Sequence, residues 1–148
     1  VPVGEIVVLD PVGGPIAVSV AELLAPLGRT VRLVTGDHFA GQMLALTGDL
    51  APANVRLARL GVDIVARSVV RAIGPDGVEV EQRFSGERRI LAGTVVDAGP
   101  RLPDDGPAAT AASRHARVGD AVAPRTIHEA ILEARRAVAD LDRVGVVA

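Results

Sequence analysis

The stretch Leu9–Gly28, LDPVGGPIAVSVAELLAPLG, holds the residues of this chain whose types and spacing could bind a phosphate. A phosphate-binding turn of a dinucleotide enzyme runs strand, G-x-G-x-x-G, helix. Gly14, preceded by Gly13, fits the second glycine, which lets the backbone approach a pyrophosphate. Ala17 meets the close-packing requirement of the third. Val12 stands at the first position, where a β-branched residue disfavours the positive φ of a tight turn, so we expect a longer loop.

Two interpretations of this turn stay open, a site for a nicotinamide dinucleotide and a loop that only joins strand to helix. The helix that starts near Ile16 offers unpaired N–H groups and a positive dipole end to a phosphate. Asp10 opposes such binding through its negative charge, and Asp10 with Pro11 lengthens the loop. Asp37 could accept from ribose hydroxyls, or could belong with His38 to a solvated loop. No arginine directly follows the strand predicted at Thr30–Gly36, and this absence favours NAD(H) over NADP(H).

The elements that position these residues alternate along the chain. Short β-branched runs predict strands at Glu5–Leu9, Thr30–Gly36 and Gly93–Gly99. Helical patterns follow the first two strands, and Val62–Ile73 is long enough for two strands with a bend. Closely spaced turns then predict an antiparallel meander. The predicted fold class is α/β, a Rossmann-like three-layer domain (residues 1–103) with a parallel central sheet and a three-stranded antiparallel meander.

Residues that favour helix ends mark the helices. Pro15 suits the first helical position and Gly28 suits the C-terminal cap of the first helix. Asp49 can cap the second helix. In the C-terminal part, Pro124 is predicted to open a helix, and Thr126 resembles the start of a capping box.

Composition excludes several function classes. The 148 residues include no cysteine and no lysine, which removes disulfides, thiolate metal sites and lysine Schiff bases. The net charge of −2 argues against a nucleic-acid or anionic-membrane partner, and no apolar run approaches the ~18 residues of a membrane span. His115 and His128 have no suitably spaced partner for a triad or a metal site. We expect a cytoplasmic protein with no catalytic residue and no metal ligand on this chain.

The order of elements, the segment TVVDAGPRLP and the segment RVGDAVAPRTIHEAILEARRAV together resemble a known arrangement. They are similar to the C-terminal region of the old-yellow-enzyme-related NADH:flavin oxidoreductases, the dienoyl-CoA reductase and trimethylamine dehydrogenase family, which has a glutathione-reductase-like fold. The resemblance implies that residues 104–148 are a linker, a returning strand and a helix of a split FAD- or ADP-binding domain. FAD, FMN and an iron–sulfur cluster are implied only for the full-length protein, and NAD(H) or NADP(H) for this chain.

The resemblance also suggests cofactor contacts in the returning segment. Asp120 would bond flavin ribityl or pyrophosphate-side groups, with Gly119 allowing a close approach; the alternative is a helix-capping or loop aspartate. Arg125 lies in the first turn of a helix, where the dipole disfavours a cation, so an anionic partner is expected. Gly99 would border a pocket at the carboxyl ends of the parallel strands.

Two functions follow from the resemblance. In the first, the chain is a dinucleotide-binding-like module that passes, or formerly passed, hydride equivalents to a flavin. In the second, it is a degenerate structural module for domain docking or oligomerisation, marked by Val12 or Phe39 filling the dinucleotide path. The implied partners are the N-terminal flavin-bearing domains of the same polypeptide, and a homo-oligomer stays open.

Overall fold

The computed structural model describes residues 4–104 and 116–144. The chain divides into two compact units, Val1–Pro100 and Arg101–Ala148. The sequence placed the corresponding boundary after residue 103.

The first unit contains two sheets. Its strands are β1 (Glu5–Asp10), β2 (Thr30–Thr35), β3 (Asp63–Val65), β4 (Ser68–Gly74), β5 (Gly77–Gln82), β6 (Arg88–Leu91) and β7 (Thr94–Asp97). The order β3-β2-β1-β7 forms a four-stranded sheet in which every pair is parallel, and β4-β5-β6 forms an antiparallel meander. The segment that the sequence allowed to be two strands is divided between the two sheets.

Two helices cover one face of the parallel sheet. Helix α1 (Pro15–Leu24) begins at the predicted proline, and a 3₁₀ turn, Ala25–Leu27, carries the chain to Gly28, whose φ of 73° ends it as expected. Helix α2 (Leu50–Arg59) follows Asp49. Asp49 stands at the N-cap but makes no side-chain capping bond, because its carboxylate instead accepts from Arg56.

The parallel sheet is buried on both faces. Toward the helices, Ile6, Val8 and Leu33 pack in one apolar cluster with residues of α1 and α2. Toward the meander, Val7 and Leu9 pack in a second cluster with residues of β5 and β6. Alternate residues of one strand therefore enter two different cores, as expected for a sheet between two layers. The predicted three-layer α/β fold with a meander is confirmed.

The second unit contains a short 3₁₀ turn, Gly119–Ala121, and the helix α3 (Ile127–Val144). The prediction that Pro124 opens this helix was three residues early. Thr126 instead precedes the first turn, and its hydroxyl donates to the Glu129 carboxylate, which is a contact between two side chains and not the side chain–backbone bond of a capping box. None of the helices in residues 4–104 and 116–144 has the length and apolar character needed to cross a bilayer.

Candidate functional site

The turn between β1 and α1 has the conformation of a bent loop with one left-handed residue. That residue is Gly13, with φ of 71°, and Val12 stays outside the positive-φ region. Gly14 is extended and stands at the N-cap of α1. The sequence argument that Val12 could not take the tight-turn conformation is therefore consistent with the structure, which moves the left-handed position one residue along.

The carboxylate of Asp10 lies inside this turn. Its Oδ1 accepts from the Gly13 N–H at 2.9 Å, and its Oδ2 accepts from the Gly41 N–H at 3.3 Å. The residue is only 3% exposed. Burial raises the pKa of Asp10 above its ordinary value, the bonds from the backbone N–H groups of Gly41 and Gly13 oppose the rise, and the nearby Asp37 charge adds to it.

The segment after β2 folds over the same turn. The Met43 N–H donates to the Gly13 carbonyl at 2.8 Å. Asp37 also lies beside Gly13, with its Oδ2 only 2.7 Å from the position that a Cβ on Gly13 would take. The Asp37 side chain thus lies near the glycine turn, as the ribose-binding interpretation requires, but it adds a second carboxylate to the phosphate position.

These contacts determine what the turn can bind. A phosphate at a helix N-terminus is held by free backbone N–H groups and the positive end of the dipole. Here the Gly13 N–H is bonded to Asp10, and Pro15 has no N–H to offer. Asp10 therefore occupies, from within the chain, part of the position where an external anion would bind.

Ala17 has the packing expected of the third motif position. It is 1% exposed and lies in the cluster between α1 and the parallel sheet. A larger side chain there would separate helix from sheet, so its size serves the fold. Its contribution to cofactor binding stays a prediction.

Val12 and Phe39, which were expected to fill the dinucleotide path in a purely structural module, are not buried in a cleft. Val12 is 45% exposed and Phe39 is 54% exposed. A cavity of about 420 Å³ lies instead at the carboxyl ends of β1, β2 and β7, bordered by Leu9, Asp10, Val34 and Asp97, among others. Ligands of open α/β sheets bind at this edge, where strands on either side run to opposite sides of the fold.

Gly99 lies just beyond this edge. The Ala98 N–H before it continues the β1 ladder by donating to the Leu9 carbonyl at 3.0 Å. The Asp97 Oδ1 is 3.0 Å from the position of a Cβ on Gly99, so a side chain would crowd this carboxylate. Gly99 thus gives Asp97 room at the cavity edge, although it does not line the cavity itself.

The fold brings two arginines to the end of β2 that the sequence argument missed. The Arg67 N–H donates to the Asp37 carbonyl at 2.9 Å, and Arg67 has a left-handed backbone with φ of 51°. The Arg83 Nη1 donates to the Gly36 carbonyl at 3.1 Å, from 47 residues away. Arg67 directly precedes β4 and Arg83 directly follows β5. A search for an arginine directly after β2 in the sequence therefore could not find them. The sequence-based preference for NAD(H) over NADP(H) stays a prediction.

In the second unit, the returning segment is held by its own helix. Gly119 has φ of 61°, and a Cβ there would lie 3.1 Å from the Ala130 Cβ. Its N–H donates to Glu133 Oε2 at 2.7 Å, and the other oxygen of Glu133 accepts from Arg125. The lack of a side chain at Gly119 therefore allows helix α3 to pack closely against this residue.

Asp120 and Arg125 both find partners inside the second unit. Asp120 Oδ2 lies 3.5 Å from Arg101, with 62% of its side chain exposed. Arg125 pairs with Glu133, so it has the anionic partner that was expected, but the prediction that it lies in the first turn of the helix was wrong, because α3 begins two residues later, at Ile127. In this unit Asp120 is not a helix cap, since α3 begins at Ile127. Its contact with a cofactor stays a prediction.

Residues 4–104 and 116–144 contain no group of three histidine or acidic side chains that could hold a metal ion. His128 lies on α3 beside Glu129, and His115 lies outside the described residues.

Solved structures identify the relatives of this arrangement, although no family model and no curated protein sequence matches the chain significantly. Histamine dehydrogenase from Rhizobium sp. 4-9 superposes with a TM-score of 0.78 and is 28% identical, over 90% of this chain. An amine oxidase for 6-hydroxypseudooxynicotine from Pseudomonas geniculata N1 gives 0.78 at 24% identity over 90% of this chain, and 2-naphthoyl-CoA reductase gives 0.74 at 20% over 93%. The resemblance to the old-yellow-enzyme-related flavin oxidoreductases is confirmed.

The chain corresponds to only a part of these flavin oxidoreductases. It covers 22% of the length of histamine dehydrogenase and 21% of each of the other two. The two relatives below 25% identity support the fold alone.

Proposed function

We propose that this chain is a dinucleotide-binding-like module of a larger flavin-dependent oxidoreductase, in which a carboxylate of the chain itself has replaced the nucleotide pyrophosphate. The module supports the enzyme by docking against flavin-bearing domains of the same polypeptide. The matched fold and the 28% identity to histamine dehydrogenase support membership of such an enzyme. FMN, FAD and the iron–sulfur cluster belong, on this proposal, to the remainder of the protein.

The buried carboxylate of Asp10 carries the proposal. It uses the Gly13 N–H that a pyrophosphate would need, and a bound phosphate would stand close to both Asp10 and Asp37. A phosphate charge about 5 Å from one carboxylate costs about 3 kcal/mol at an effective dielectric constant near 20. A helix N-terminus returns about 0.3–1 kcal/mol, or ~2 kcal/mol in a favourable partly buried position. Repulsion from one carboxylate therefore outweighs the attraction of the helix.

A second candidate function is retained NAD(H) binding with hydride transfer to a flavin. The observation that favours it is the position of Asp37, whose carboxylate lies beside Gly13 at the end of β2. An acid there is placed to accept from ribose hydroxyls. Arg67 and Arg83, at the same strand end, allow the phosphorylated form NADP(H) equally.

Calorimetric titration of the chain with NADH and NADPH separates these candidates. We expect no saturable binding to the wild type at millimolar nucleotide, and measurable binding of NADH after Asp10→Ala, because this change frees N–H groups and removes a charge. Asp63→Ala is the matched control: it removes one exposed carboxylate far along the sequence from the turn and should bind no nucleotide. Circular dichroism checks that each variant is folded.

Micromolar binding of NADH to the wild type, weakened by Gly14→Val, would overturn the proposal in favour of retained nucleotide binding. If Asp10→Ala folds and still binds no nucleotide, the Asp10 carboxylate is not what prevents nucleotide binding, and the proposal is overturned.

A further inference from the structure

The cavity at the carboxyl ends of the parallel strands has an apolar wall that the protein core leaves uncovered. Val70 and Ile73 of β4 pair with Val80 and Val78 of β5, so the four side chains share one face of the meander. Val78 and Val80 are buried against the parallel sheet, whereas Val70 is 38% exposed and Ile73 is 58% exposed. The β4 side chains of this inward face line the cavity instead of entering the core.

The opposite wall consists of the strand ends. Leu9 and Val34 are 5% and 2% exposed and border the same cavity. Its volume of about 420 Å³ falls in the range of ~300–1,000 Å³ that is typical of small-molecule sites. An apolar group between the walls would be covered on both sides.

Arg83 supplies a positive charge at this cavity. Its guanidinium is held by one bond, from Nη1 to the Gly36 carbonyl, and it has no carboxylate partner among the described residues. The neighbouring meander arginines differ, because Arg71 and Arg88 both pair with Glu81 on the outer surface. The Arg83 guanidinium therefore keeps donors for a carboxylate of a ligand.

Asp97 supplies a negative charge at the same cavity. It is the last residue of β7, is exposed, and has no hydrogen bond or ion pair with any residue in 4–104 or 116–144. Asp10 also borders the cavity, but its two oxygens already accept from the backbone N–H groups of Gly13 and Gly41. The available charges are thus one guanidinium and one carboxylate.

We propose that this cavity binds a small zwitterion with an apolar body, of the class of an apolar α-amino acid. Arg83 takes the carboxylate, Asp97 takes the ammonium group, and the apolar side chain lies between Leu9 and Val34 on one side and Val70 and Ile73 on the other. A simple anion would leave Asp97 facing a like charge, and a simple cation would do the same at Arg83. The site adjoins the glycine turn at Asp10, but its proposed contacts are those of Arg83 and Asp97 and not those of the turn.

Isothermal titration of the 148-residue chain with L-phenylalanine and two analogues tests this proposal. We expect L-phenylalanine to bind. The analogues 2-phenylethylamine, which lacks the carboxylate, and 3-phenylpropanoate, which lacks the amine, should bind with an affinity lower by about tenfold or more, because each loses one charge-assisted contact. Arg83→Gln should remove the preference for L-phenylalanine over 2-phenylethylamine. Asp97→Asn should remove the preference over 3-phenylpropanoate.

Arg71→Gln is the control for Arg83→Gln, because it removes an arginine from the outer surface of the same meander and should leave the affinities unchanged. Thermal unfolding of each variant reports whether the loss of the Arg83 bond to Gly36 affects folding, and Asp97→Asn tests the site without touching that bond. No binding of L-phenylalanine at 10 mM, about the upper end of weak recognition, would overturn the proposal. Binding that neither cavity variant alters would overturn it as well.

Discussion

Asp10 accepts a hydrogen bond from the Gly13 N–H at 2.9 Å, across the turn that joins the first strand to the first helix. In a phosphate-binding turn that N–H would face a ligand. The same carboxylate accepts from Gly41, so it ties the glycine turn to the segment after β2. The aspartate that lengthens the loop in sequence is therefore also what holds the folded loop together.

The burial of Asp10 predicts a stability that depends on pH. Because the folded-state pKa of this acid is raised above its unfolded value, the stability that it contributes is fully present below the unfolded pKa and is lost as the pH rises through the folded pKa. Relative to Asp10→Asn, the wild type should lose free energy of unfolding between pH ~4 and neutral pH. Urea unfolding at several pH values measures this difference.

The control is Asp63→Asn, since 62% of the Asp63 side chain is exposed. Its difference from the wild type should change less with pH. A wild-type minus Asp10→Asn difference that stays constant from pH 4 to 7 would contradict the prediction.

The close contact at Gly13 predicts that alanine is poorly tolerated there. Gly13→Ala would place a Cβ 2.7 Å from Asp37 Oδ2 at a residue with φ of 71°, whereas Gly28→Ala meets nothing within 4 Å at a φ of 73°. Gly28→Ala should cost about 1 kcal/mol for the left-handed backbone alone. Gly13→Ala should exceed that by roughly 1 kcal/mol or more, because the contact adds to the backbone strain. Chemical denaturation measures both, and equal costs would mean that Asp37 moves aside freely.

The fold could be predicted from sequence because its signals are local. The β-branched runs at Glu5–Leu9 and Thr30–Gly36 flank a helix that starts at Pro15 and whose continuation stops at Gly28, and each of these features depends on near neighbours. Parallel pairing follows from the crossover. The same reasoning predicted that Val12 would not adopt the positive φ of a tight turn, and the structure has this conformation at Gly13.

The site could be predicted only in part because its decisive contacts join distant segments. The sequence indicated that Asp10 would carry a charge near the phosphates, but not that its carboxylate would bond Gly13 and Gly41. Arg83 reaches Gly36 only after the meander folds back across 47 residues. Tertiary contacts of this kind leave no periodic pattern along the chain.

The bond between Gly119 and Glu133 predicts a protected amide in the second unit. The Gly119 N–H donates to Glu133 Oε2 at 2.7 Å. Glu133→Ala should increase hydrogen exchange at this amide about tenfold or more, since the lost bond is to a charged acceptor. Glu129→Ala is the control on the same helix, because Glu129 accepts from Thr126 and makes no bond to Gly119. Unchanged exchange in Glu133→Ala, measured by NMR, would exclude this bond in solution.

The two carboxylates beside the glycine turn predict a measurable electrostatic coupling. Asp37 is one of the groups that raise the pKa of Asp10, after burial. Asp37→Asn should therefore lower the pKa of Asp10, which NMR titration of the side-chain carboxyl carbon reports. Asp97→Asn is the matched control: Asp97 borders the same cavity but is not among the groups that shift Asp10. If Asp37→Asn and Asp97→Asn move the Asp10 titration equally, Asp37 has no special proximity, and the turn does not hold the paired negative charges that exclude a phosphate.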